Sequence, residues 1–83
     1  MRGEIYIMKK DVLRIARRYR KSFTRLASKY PKQAMKYWFN FNARTDGLLD
    51  LLAEDSSLSS AEYMLICDYL ATQWQRLFNI YCK

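Results

Sequence analysis

The chain contains no histidine, a single proline, two glycines and two cysteines. Without histidine it lacks the commonest general base and metal ligand, and two cysteines alone do not complete a zinc site. Cys67 and Cys82 stand 15 residues apart. On one helix that is ~22 Å, well beyond the ~7 Å between alpha carbons that a disulfide spans. Reduced thiols in a cytoplasmic protein are therefore expected. With so little glycine there is no glycine-rich phosphate loop, and no nucleophile stands beside an evident base. No apolar run approaches the roughly 20 residues of a membrane span. The first residues, Met1 to Ile7, are too short and too acidic for a secretory signal.

Acidic residues are also scarce where they would matter most. Residues 1–45 hold 13 Lys/Arg against two Asp/Glu, a charge of +11, whereas residues 46–83 hold two against six, a charge of −4. The net +7 is thus the sum of a strongly basic and a mildly acidic part. Basic surfaces of this kind attract nucleic acid, anionic membranes or acidic protein surfaces.

What is present is apolar, aromatic and helical in pattern. A hydrophobic share of 51% with 28% charged residues describes a folded, soluble chain, and 83 residues make one small domain, 1–83. Val12, Ala16, Tyr19, Phe23, Leu26 and Tyr30 recur at steps of four and three, which places them on one helical stripe. Arg14, Arg17, Arg18, Lys21, Arg25 and Lys29 fall largely on the other side. Asp11 in the first turn and Lys29 in the last suit the helix dipole. Pro31 ends the helix and makes Tyr30 a corner.

Residues 32–44 carry two patterns. Ala34, Trp38 and Phe41 share a helical face, whereas Tyr37, Phe39 and Phe41 alternate with Trp38, Asn40 and Asn42 as a strand would. A strand there has only Glu4–Ile7 as a partner, so helix is preferred. Thr45-Asp46-Gly47 reads as a break, with Asp46 capping a short helix that turns Leu48, Leu49, Leu51 and Leu52 toward the core. Ser59-Ser60-Ala61-Glu62 is a capping box, flanked by Leu58 and Tyr63 in staple positions. The last helix then carries Tyr63, Ile66, Leu70, Trp74, Leu77 and Tyr81, widened by Met64, Cys67, Ala71 and Phe78. So broad an apolar surface calls for cover on two sides, by the other helices or by a second subunit, and a homodimer through this helix is expected as readily as a monomer.

The expected architecture is all-α, a small helical bundle of three to four helices at about 9–30, 32–44, 47–54 and 59–82. Its first helix is strongly basic and its last broadly apolar, the two packing near-antiparallel with the aromatic segment across them. Residues 1–7 have two readings. Arg2-Gly3-Glu4 suits a ribosome-binding purine run ahead of a start at Met8-Lys9-Lys10; alternatively, Ile5 and Met8 extend the apolar stripe as a native arm.

The basic stripe is the strongest functional signal. Several cations on one rigid face suit the phosphates of a DNA or RNA backbone, and arginine in its centre favours bidentate contact with phosphate or carboxylate. The residues expected to bind are Arg14, Arg17, Arg18, Lys21, Arg25 and Lys29, with Tyr37 and Trp38 as candidates for stacking on unpaired bases. Glu4–Met8 ahead of a basic helix resembles a ribbon-helix-helix arm, but the usual turn is absent, and neither corner of the chain fits a helix-turn-helix. Asp46, Asp50, Glu54 and Asp55 have the spacing of a solvated helix edge rather than a metal cluster. No enzyme activity, metal or cofactor is expected, and lipid insertion would take from a small core a helix it needs. Two functions follow as expectations: a nucleic-acid-binding accessory or regulatory protein, or a modulator that docks the same arginines on an acidic surface of a larger complex. Either suits a small bacterial accessory protein of the phage or plasmid type.

Overall fold

The computed structural model describes residues 9–55 and 57–82. These form an all-α bundle of three helices: α1 (Lys9–Lys29), α2 (Ala34–Leu52) and α3 (Ser60–Tyr81), with one 3-10 turn at Pro31–Gln33. Residues 1–7, with their two readings, lie outside the described residues. Among the described residues there is no strand, so 36–42 are helical. None of the helices is long and apolar enough to cross a membrane.

The chain turns where local chemistry requires it. Tyr30 leaves the helical region at φ −128° and ψ 69°, and Pro31 opens the 3-10 turn, where its missing N–H costs nothing. At the start of α3 the Glu62 backbone N–H donates to Ser59 Oγ at 3.1 Å. The Glu62 carboxylate reaches back to the Ser59 hydroxyl at 3.3 Å, and Leu58 and Tyr63 pack beside the core as the staple requires.

Two expectations are corrected. Thr45-Asp46-Gly47 does not break the chain into helices at 32–44 and 47–54; α2 runs through it without interruption. Thr45 is 1% exposed. Its hydroxyl donates to the Phe41 carbonyl one turn back at 2.9 Å and accepts the Trp74 indole N–H at 3.0 Å. A residue that would otherwise compete with the helix is thus pinned inside it by a partner from α3. Gly47 is exposed, with ordinary helical backbone. Asp46 lies mid-helix and caps nothing, and Leu51 faces outward at 52% exposure while Leu48 and Leu52 are buried.

The second correction follows from the first. Because α2 returns along the length of α1, α3 begins beside the start of α1, and the two run parallel rather than antiparallel. One end of the core joins Val12 and Ala16 to Leu48 and Leu52 and to Ile66 and Leu70. The other joins Phe23 and Ala27 to Ala34 and Trp74. The early half of α1 therefore meets the early half of α3. Lys9 and Glu62, at the starts of the two helices, form an ion pair at 3.5 Å.

Aromatic side chains fill the second end. Phe23 stands edge-on to Trp74 and Tyr81, at centroid distances of 5.7 and 5.6 Å. Trp38 packs edge-on to Phe78 and Trp74 and donates its indole N–H to the Trp74 carbonyl at 2.7 Å. These contacts join ring burial to satisfied polar edges, which is how buried tryptophans are ordinarily accommodated.

Candidate functional site

The stripe that buries Val12, Ala16, Phe23 and Ala27 turns the opposite face of α1 outward. Arg14, Arg17, Arg18, Lys21, Arg25 and Lys29 are all exposed there. Only two ion pairs involve side chains among the described residues: Lys9–Glu62, and Arg14–Asp11 at 3.2 Å. Arg14 thus has an acid at home. Lys29 lies 5.6 Å over the ring of its neighbour Tyr30. The acids of α2 sit elsewhere, with Asp46 and Asp50 lining a separate cleft.

The six residues do not form one site. Arg17, Lys21 and Arg25, spaced by one turn, line an open groove of about 500 Å³ between α1 and α3. Arg14, Arg18 and Lys29 lie outside it. The opposite wall is Gln73 and Arg76 of α3, and Arg20 lies between the walls. The Arg20 guanidinium carbon is 5.9 Å over the Tyr69 ring. Its Nη1 is shielded from solvent and has no hydrogen-bond partner among the described residues. The Thr24 hydroxyl beside it is already committed, donating to the Arg20 carbonyl at 2.9 Å. Among the described residues no carboxylate lines this groove, so none of them neutralises its cations.

Sequence reasoning missed Arg76 and Gln73 and left Arg20 outside the binding set. Arg76 carried one signal, as one of only two cations after residue 45. Tyr37 and Trp38 do not line the groove. Both are half-buried: Tyr37 tilts against Tyr30, and Trp38 is occupied by its contacts to α3.

A second cleft, of about 670 Å³ between α2 and α3, is lined by Thr45, Asp46, Asp50, Tyr63, Cys67 and Trp74 among others. The Cys67 side chain beside Tyr63 pushes that phenol above its ordinary value, followed by burial and the charges of Asp50 and Asp46. Tyr63 is therefore a neutral phenol at neutral pH. Burial pushes the Cys82 thiol up as well. Both cysteines are free thiols. Among the described residues no three His, Cys, Asp or Glu side chains are grouped so as to hold a metal ion. No protein-family model matches the chain, and no curated protein or solved structure is detectably similar to it.

Proposed function

We propose that this chain is a nucleic-acid-binding accessory or regulatory protein that holds backbone phosphates on the cationic face of α1. One observation carries the reading: Arg14, Arg17, Arg18, Lys21, Arg25 and Lys29 are exposed together on one rigid helix, and among the described residues only Arg14 of the six has an acidic partner. A face of this kind follows a polyanion and gains affinity from counterion release. Arginine suits the work because its planar fork meets two phosphate oxygens at once.

The test is fluorescence anisotropy of labelled duplex DNA, single-stranded DNA and RNA at several salt concentrations. Micromolar or tighter binding is expected, with log affinity falling linearly in log salt. A folded Arg14/Arg17/Arg18/Lys21 charge-reversal variant should lose it. Absence of binding at physiological salt would refute the reading. Docking on an acidic protein surface is the alternative, favoured by Met64 and Leu65, which stand 63% and 69% exposed on α3. That reading expects fixed-stoichiometry copurification with one protein and indifference to generic nucleic acid.

A further inference from the structure

The groove between α1 and α3 is a more specific feature than a charged helix face. A solvated cationic stripe presents its charges outward on a single convex surface. Here two parallel helices present charges toward a common channel: Arg17, Lys21 and Arg25 from one wall, Arg76 from the other. Four residues of helix advance ~6 Å, so the α1 cations form a ladder along the channel rather than a point cluster. A single phosphate would engage one rung. A chain of phosphates engages all of them.

Two further details indicate what lies in the channel. Like charges brought together across a groove repel one another, which costs stability unless an anion is bound between them. Arg20 adds a further guanidinium to the groove lining, its Nη1 shielded and without a hydrogen-bond partner among the described residues. Tyr69 lies just outside the groove lining, on the face of α3 that carries Gln73 and Arg76; the Arg20 guanidinium, which does line the groove, stands over one side of its ring, and the residue is still 49% exposed. Next to a row of cations, a half-exposed ring of this kind is a platform for a base.

We infer that the α1–α3 groove binds one single strand of nucleic acid, with its phosphodiester backbone between Arg17, Lys21 and Arg25 of α1 and Arg76 of α3, and a base stacked at Tyr69. The inference rests on the nucleic-acid reading above and narrows it to a strand form and a two-helix site. In a duplex the bases are paired and stacked on one another, so a duplex can offer the channel phosphates but no base for Tyr69. It is therefore the weaker ligand.

The test titrates the full chain with labelled oligothymidylate, oligouridylate and a mixed duplex of the same length. It compares Arg76→Gln with Arg44→Gln, a neutralisation of an exposed arginine on α2 that does not line the groove. Both remove one charge, so a purely long-range field loses the same from each. The groove predicts single strands bound more tightly than duplex. It predicts about a tenfold loss for Arg76→Gln against less than about twofold for Arg44→Gln. The single-strand salt slope should fall by about 0.7 in the first variant alone. Tyr69→Leu should weaken single strands about tenfold and leave duplex binding unchanged. Gln73→Glu, which sets a negative charge in the channel, repeats the test from a second position, with circular dichroism to check that each variant folds. Equal losses from Arg76→Gln and Arg44→Gln, or duplex bound as tightly as single strands, would overturn the groove while leaving nucleic-acid binding intact. No binding of any of the three probes at physiological salt would end both.

Discussion

Replacing Thr45 with valine keeps the shape of the side chain and removes its hydroxyl. In the native protein that hydroxyl accepts the Trp74 indole N–H at 3.0 Å and donates to the Phe41 carbonyl at 2.9 Å. Trp74 is 1% exposed, so water does not replace the lost acceptor. Leaving a buried donor unsatisfied costs about 1–3 kcal/mol. The extra apolar methyl of valine returns up to ~0.8 kcal/mol, on the scale of one buried methylene. A net loss of about 1–2 kcal/mol is expected. A domain of this size has ~4–12 kcal/mol in all at ~0.05–0.15 per residue, so the change is a large fraction. Urea unfolding followed by far-ultraviolet circular dichroism should show a lower midpoint at unchanged slope. In thermal melts each kcal/mol should appear as a fall of about 4–8 °C. Thr45→Ser keeps the hydroxyl and should lose only the methyl, ~0.8 kcal/mol. In a Trp74→Phe background the donor is gone, so Thr45→Val should then cost nothing or stabilise, giving a coupling of about 1–2 kcal/mol. If Thr45→Val matches the parent within ~0.3 kcal/mol, or costs the same in both backgrounds, the hydrogen bond does not hold α2 to α3 and the reasoning fails.

Three further outcomes test other parts of the fold. Gly47→Ala should stabilise by up to ~1 kcal/mol, because the new methyl meets nothing within 4 Å and the backbone there is already helical; a loss in urea midpoint would show that the glycine is needed for another reason. Ser59→Ala should cost about 1 kcal/mol by removing the cap from the Glu62 N–H, whereas Ser59→Asp should retain most of it. The Ser57 hydroxyl and then its backbone N–H, both bonded to the Asp55 carboxylate, hold Asp55 below the usual aspartate value. Its depressed pKa contributes stability above the unfolded value, which is lost as pH falls through the folded one. In Ser57→Ala the Asp55 carboxyl, followed by NMR titration, should move up toward the ordinary value; an unmoved titration would refute the assignment.

The features legible in the sequence are those that short-range chemistry decides. Pro31 dictates the corner at Tyr30 whatever surrounds it, and Ser59 with Glu62 carries the start of α3 within four residues. The early stripe of α1, Val12, Ala16 and Phe23, is legible because its period needs no partner to be recognised, whereas at the far end Ala27 rather than Leu26 is buried and Tyr30 is exposed. The continuity of α2 is not legible, since Thr45 owes its place in the helix to Trp74, 29 residues further on. The direction of α3 was lost with it, because a break at Gly47 takes away the return along α1. The candidate site divides in the same way. Arg17, Lys21 and Arg25 follow from spacing within one helix. Arg76 joins them only once the parallel arrangement sets its face of α3 beside α1, and no local pattern contains that fact.

The chain has only two tryptophans, and both lie at the same end of the core, with ring centroids 6.4 Å apart. The end built on Val12, Leu52 and Leu70 has none. Indole emission therefore samples one pole of the molecule, while the other carries only tyrosines such as Tyr63. Loosening that began around Leu58 and Ile66 would lower the ellipticity before the indole signal changed. Separation of α2 from α3 at Trp38 would alter the emission first. Comparing the two curves gives a built-in measure of whether the bundle opens as one unit or from one end.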